Sequence, residues 1–497
     1  MDQLKGKKLV PSPPTTTTNM AASMLKSLGS NKILRLCRIS DFYRTFLSDS
    51  YKCDQLWKER LKSQYLQKID PKTFGIQLLD SFEETKTLHA VDIDLFVNKI
   101  QDLPSSFTYL VNDVLHRFRH CSTSVPIQDS IMHAIVRGHL MNGQLDNLLE
   151  LIKDKSKYGV FPDDHSMCML LDHYIKNEDY KAAAQLAYDV MLQEEYENQM
   201  KNLLALYAAV KHFSGTMDLE RPEPEPANED EEVEYIAVKV IRNPYYDDHF
   251  DIKDERFLLG KTLYNISKNT ATLDGAFSRS LQLIGLGLYE KFELANQLLE
   301  EWIADETIKD VVYSKALEQY SEFLNSAPTR DPDAEAISMG DKTIDDEIEL
   351  LKLTPEAKTF CLTKLQTLTL SLSKDRSPDE NIEEKVETFL TSGTFSKYEK
   401  EDIKILTENY KQWMLDRDKN VVEYLKEKKR QEIEEGIHAK LAALQEREEL
   451  LTYFANIDEI QLSLRHHKEE VIVVKEKEEY VEAPGERNVK LAIKRKR

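Results

Sequence analysis

The chain has 497 residues, with 88 acidic against 67 basic side chains and a formal charge of −21. Such a balance repels phosphate at long range and confines any nucleic-acid contact to local basic patches, so a protein partner is the easier expectation. Glycine (15) and proline (16) are scarce, which favours an all-α fold. No apolar run approaches the roughly 20 residues that cross a bilayer, so no membrane partner is expected.

From Gln3 to Ser40 there is no acidic residue, whereas Lys5, Lys7, Lys8, Lys26, Lys32, Arg35 and Arg38 are basic. This is the composition of a mitochondrial transit peptide, and it predicts a presequence over residues 1–46. Within it, Met20-Ala-Ala-Ser-Met-Leu-Lys-Ser-Leu can begin an amphipathic helix, and Arg44-Thr45-Phe46 suits removal by a matrix peptidase. A disordered basic tail on a cytosolic protein is the alternative.

Residues 47–216 read as a first helical array. Leu56, Trp57, Leu61 and Tyr65 fall on one face of a predicted helix over 51–65, and a hairpin follows from Val91 to Phe118 with its turn near Pro104. Leu110, Val111, Val114, Leu115 and Phe118 form the inner stripe of that hairpin.

From Asp129 to Asn198 one helical hairpin is written twice. A shift of 35 carries Met132 to Met167, Ile135 to Leu170, Leu140 to Ile175, Asn142 to Asn177 and Leu151 to Leu186. Each copy has apolar residues at helical spacing around a short polar break such as Asn142-Gly143-Gln144. A hairpin of this kind cannot bury its apolar face alone, so copies are expected to stack into an α-solenoid. The link between copies is Gly159-Val-Phe-Pro-Asp163. There Gly159 can close a helix in a left-handed cap, Pro162 forbids continuation, and Asp163 or Asp164 can cap the next helix. Period, turn position and this ending resemble the pentatricopeptide repeat, with repeats at about 129–163 and 164–198. A tetratricopeptide stack would have a 34-residue period.

Lys201 to Phe213 supplies a further first helix. The stretch from Met217 to Glu234 holds nine acids and three prolines, cannot bury enough apolar surface to order itself, and marks residues 217–253 as an acidic linker. A second array is predicted over 254–326, where Leu281 to Leu288 and Phe292 to Trp302 repeat the hairpin scheme, and a second linker over 327–347. The region 348–455 opens with proline at a helix start, Thr354-Pro355-Glu356. It continues in a long helix from about Lys397 through Glu435, striped by Leu406, Tyr410, Trp413, Val421 and Tyr424. The charged tail, 456–497, is expected to be extended and to pair with protein or RNA.

No constellation of residues supports catalysis. Gly260-Lys261-Thr262 looks like the end of a phosphate loop, but Glu255 stands where that loop needs glycine and no strand precedes it. There is no H-E-x-x-H and no G-x-S-x-G. The five cysteines are odd in number and lack C-x-x-C spacing, so neither a disulfide frame nor a zinc site follows. His466-His467 reads as a surface pair, and Asn265-Ile-Ser267 fits a glycosylation sequon with nothing to place it in a secretory route. The chain is therefore expected to be no enzyme and to need no cofactor or small-molecule substrate.

Lys157-Tyr-Gly-Val-Phe-Pro-Asp-Asp164, Tyr174-Ile-Lys-Asn-Glu-Asp-Tyr-Lys181, Asp189-Val-Met-Leu-Gln-Glu194, His116-Arg-Phe-Arg-His-Cys121 and Tyr410-Lys-Gln-Trp413 resemble a known family. It is that of the pentatricopeptide-containing proteins of the mitochondrial small ribosomal subunit, the S-twenty-seven type. The resemblance runs from about Tyr51 to Glu435. It implies a non-catalytic ribosomal constituent in the mitochondrial matrix, with small-subunit ribosomal RNA and other mitochondrial ribosomal proteins as partners. In pentatricopeptide proteins that read RNA, the fifth and last residues of a repeat touch one base. Those positions here are His133 with Asp163 and Cys168 with Asn198. His133 and Cys168 depart from the small polar residues usual at the fifth position, so sequence-specific readout is not expected. The alternatives are a free pentatricopeptide RNA-binding factor acting on organellar transcripts, which would need more repeats with good code pairs, and an organellar enzyme with a helical arm.

Overall fold

A computed structural model describes residues 46–124, 129–215, 234–237, 247–330, 351–372, 376–465 and 492–495. The predicted presequence apart from its last residue, Phe46, most of both linkers and His466-His467 lie outside them. The fold is all-α. In chain order its helices longer than one turn are α1 (Asp54–Leu61), α2 (Pro71–Thr85), α3 (Ala90–Val97), α4 (Thr108–Arg119), α5 (Asp129–Asn142), α6 (Leu145–Lys153), α7 (Asp164–Lys176), α8 (Tyr180–Gln193) and α9 (Gln199–Gly215). There follow α10 (Glu255–Asn269), α11 (Gly275–Leu288), α12 (Phe292–Ala304), α13 (Ser314–Ser326), α14 (Pro355–Ser371), α15 (Ile382–Leu390) and α16 (Gly393–Ala455). Beside the helices, the described residues hold one antiparallel ribbon, β1 (Glu234–Ala237) with β2 (Ala492–Arg495). No described helix is long and apolar enough to cross a membrane. One apolar core runs through the molecule from Leu47 to Tyr410.

The 35-residue register is a property of the backbone as well as of the sequence. Helices α5, α7 and α9 begin at Asp129, Asp164 and Gln199, and α6 and α8 at Leu145 and Tyr180. The turns inside the hairpins use one left-handed residue at equivalent places, Gly143 (φ 67°) and Glu178 (φ 59°). Asp179 caps α8 by accepting from the Ala182 amide at 3.1 Å. Asp163 stands at the N-cap of α7, yet its carboxylate accepts no cap bond. It is turned instead toward His133 and Ser166, because a buried imidazole needs that acceptor more than a helix amide does.

Gly159 closes the short helical turn Lys155–Tyr158 at φ 68°. A Cβ added there would lie 2.7 Å from Cδ of Arg119. Gly159→Val therefore meets both backbone strain and a clash, and is expected to destabilise by about 1 kcal/mol or more. A thermal melt indistinguishable from wild type would contradict this.

Gly260 lies inside α10, against Gly285 of α11: a Cβ on either would sit 2.6 Å from the other's carbonyl oxygen. The glycine that imitates a phosphate loop in sequence thus serves a close helix crossing. The long helix α16 spans 63 residues, or roughly 95 Å at about 1.5 Å per residue. It passes the predicted end at Glu435, because the Leu, Ala, Glu and Lys content of residues 437–451 outweighs the ~1 kcal/mol cost of Gly436.

Candidate functional site

Helices α5 and α7 turn one side toward a groove, and two other elements fill it. One is the segment from Phe46 through α1. The other is the N-terminal half of α16, laid over α5 like a strap and contacting α1, α3 and α9.

His133 and Cys168 are fully buried beneath these elements. Nε2 of His133 lies 2.7 Å from the Tyr410 hydroxyl of the strap, and Nδ1 lies 3.3 Å from the Asp163 carboxylate and 3.0 Å from the Ser166 hydroxyl. The partners assign the tautomer: Nδ1–H donates to Asp163, and Nε2 accepts from Tyr410. Nη1 of Arg137 also donates to the Tyr410 hydroxyl at 3.1 Å. Asp163 is 21% exposed and so only partly covered. The amide of Asn198 donates to Asp402 of the strap at 3.2 Å, and the Tyr51 hydroxyl donates to the same carboxylate at 2.9 Å. His133 and Asp163 are thus brought together, whereas Asn198 meets the strap and Cys168 is packed under it.

Burial sets the chemistry of the groove. It holds the Cys168 thiol well above its ordinary pKa, so no thiolate nucleophile forms there. Burial next to His133 pushes His165 down to about 3, so it is neutral at physiological pH. Tyr51 stacks on that ring with centroids 4.1 Å apart. A neutral, packed imidazole and a protonated thiol can hold shape, and neither is poised for proton transfer or attack.

At the far end of the strap, Arg417 reaches Asp94 of α3 with Nε to Oδ2 at 2.5 Å and Nη2 to Oδ1 at 3.2 Å. Arg60 of α1, fully buried, places Nη2 at 3.9 Å from the same carboxylate. Among the described residues none of its guanidinium nitrogens has a hydrogen-bond partner. It lies among Trp57, Tyr410 and Trp413, whose ring centroids are 5.4, 5.9 and 5.2 Å from its Cζ. Ring faces supply cation–π attraction to a charge that water cannot reach. The desolvated guanidinium, crowded by Arg417, falls to about 10 and remains charged at neutral pH. Beyond it the Tyr424 hydroxyl donates to Asp92 at 2.7 Å.

A family model of the mitochondrial 28S ribosomal protein S27 matches residues 20–443. The chain belongs to that family. It is a mitochondrial ribosomal protein of the small subunit, a structural rather than catalytic class. The matched span contains every groove and strap residue named above, from Phe46 to Tyr424. Sequence reasoning reached the groove positions through the repeat register but missed Arg60, Asp94 and Asp402. One signal was present: Arg417 stands seven residues after Tyr410 and four before Val421, a lone charge on an otherwise apolar stripe that demands a buried counter-charge.

Proposed function

We propose that this S27 family member is a non-catalytic constituent of the small subunit in the mitochondrial matrix, docked mainly on neighbouring ribosomal proteins and touching small-subunit ribosomal RNA through local basic patches. Its repeats act as a pentatricopeptide-like α-solenoid that serves as scaffold, and residues 1–46 serve as the import presequence. The observation that carries the reading is the filled groove. His133, Asp163 and Asn198 already bond to partners within the chain and Cys168 is fully buried, so base readout through these four positions requires the strap to be displaced. Contact with RNA then falls to exposed lysines and arginines, which hold phosphate without reading sequence.

Titrating the purified chain with unrelated RNAs and with small-subunit ribosomal RNA tests this. Affinity is expected to differ little between sequences and to fall at least about tenfold from 50 to 200 mM salt. Tight, salt-resistant binding of one RNA would speak instead for a free transcript-binding factor.

A further inference from the structure

The strap helix changes its apolar side halfway along. In its first half Leu406, Tyr410, Arg417 and Val421 are buried against the body, four and seven residues apart. Continued at 3.6 residues per turn, that same side carries Lys428, Glu435 and Glu446, flanked by Glu432 and Glu449, before it reaches Tyr453. The apolar residues there, Ile433, Ile437, Leu441, Leu444 and Leu451, follow in steps of four, four, three and seven on roughly the opposite side. They are open to solvent: Ile433 is 63%, Leu444 62% and Leu451 65% exposed. Arg430 and Glu448 break this side, but five aliphatic side chains lined up in solvent exceed what solvation asks of a helix, so the stripe is a surface made for contact.

Charge decides among occupants. Lys429, Lys440 and Arg447 run along one edge of the stripe and are exposed, while on the other edge Arg430 pairs with Glu434 at 3.0 Å and Glu427 at 3.6 Å. Residues 426–455 carry six basic and seven acidic side chains, a net of −1; the stripe from Ile433 to Leu451 is aliphatic, and its exposed aromatics, Tyr453 and Phe454, stand together at the end, too few and too localised to stack a run of bases, which disfavours RNA. A second copy aligned in parallel would bring Glu448 onto its own equivalent, and in antiparallel would set Lys440 and Arg447 against themselves. The geometry points to an amphipathic helix of another protein, apolar along its seam and lined with Asp or Glu where it meets Lys429, Lys440 and Arg447. This deepens the ribosomal reading, on which it rests, by naming the surface through which one neighbouring protein is held.

The test uses the full-length chain in mitochondria depleted of the endogenous protein, with Leu444→benzoylphenylalanine as a photo-crosslinker. The expected product joins Leu444 to a segment of another small-subunit protein with helically spaced apolar residues and an acidic edge. Lys440→Glu with Arg447→Glu in the same chain is expected to lower its yield at least about tenfold, with helicity and melting unchanged because both sites are exposed. A product with RNA, lipid or a second copy overturns the proposal. So does a protein product indifferent to the charge reversal, or the absence of any product while the chain sediments with the subunit. A chain that sediments free fails the ribosomal reading itself; the docking claim is then judged by the same crosslink on the free chain, an acidic helical segment upholding it and any other result overturning it.

Discussion

Asp94→Asn is expected to destabilise the protein by about 3–5 kcal/mol and to loosen the N-terminal half of α16. The substitution keeps the size of the side chain and removes its charge. Arg417 then loses its carboxylate partner, and Arg60, which has no hydrogen bond among the described residues, loses the only anion that these place within 4 Å of it. Breaking a buried pair by removing one partner strands uncompensated charge, which is why the expected cost far exceeds that of a surface bridge. The sign of the pH dependence follows from the carboxyl itself. Burial alone would raise its pKa, but Arg417, hydrogen-bonded to it, and Arg60 hold it below its ordinary value. A depressed folded-state pKa stabilises the native state above the unfolded value of about 3.9 and loses that contribution as pH falls through the folded value. The gap between wild type and Asp94→Asn in urea midpoint is therefore expected to be flat from pH 5 to 8 and to close only in strong acid. Limited proteolysis should cut the variant faster within residues 393–425. A variant with the wild-type midpoint and cleavage pattern would show that the strap is held by other contacts.

The second large effect lies where α10 and α11 cross at Gly260 and Gly285. A methyl group on Gly260 would meet the carbonyl oxygen of Gly285 and the amide nitrogen of Tyr289, each at 2.6 Å, and one on Gly285 would meet the carbonyl oxygen of Gly260 at 2.6 Å. These are backbone atoms, which no rotamer change can remove, so the helices must separate and open their apolar contacts. Gly260→Ala and Gly285→Ala are each expected to cost about 3 kcal/mol. Because one separation accommodates both methyl groups, the double variant should cost less than the sum of the singles. Additive losses, or a neutral single substitution, would mean that the crossing relaxes more freely than packed backbone allows.

What could be read from the chain alone was whatever is local. The 35-residue register needs only residues one repeat apart, and the structure starts α5, α7 and α9 at that interval. Proline at the first position of α14, with Thr354 accepting from the Ala357 amide at 3.2 Å, is equally local. The strap was legible as a striped helix but its seat was not. The pairs that hold it, Asp94 with Arg417 and Tyr51 with Asp402, lie more than 300 residues apart, and no periodicity connects them. Gly260, whose likeness to a phosphate loop the sequence already ruled out, serves a helix crossing that no local pattern announces, and the long helix runs on past Glu435 because the helix formers that follow outweigh Gly436. The repeat register paired His133 with Cys168 and Asp163 with Asn198 by their spacing, yet it carried no sign that another part of the chain covers them.

The most direct measurement is sedimentation of mitochondrial lysate through a gradient at rising salt, with this chain quantified against small-subunit proteins in every fraction. The account predicts one copy per small subunit, retained at salt that strips loosely bound factors, because residence comes from many contacts made together. A chain that migrates mostly free, or leaves the subunit in moderate salt while holding one transcript, would contradict it.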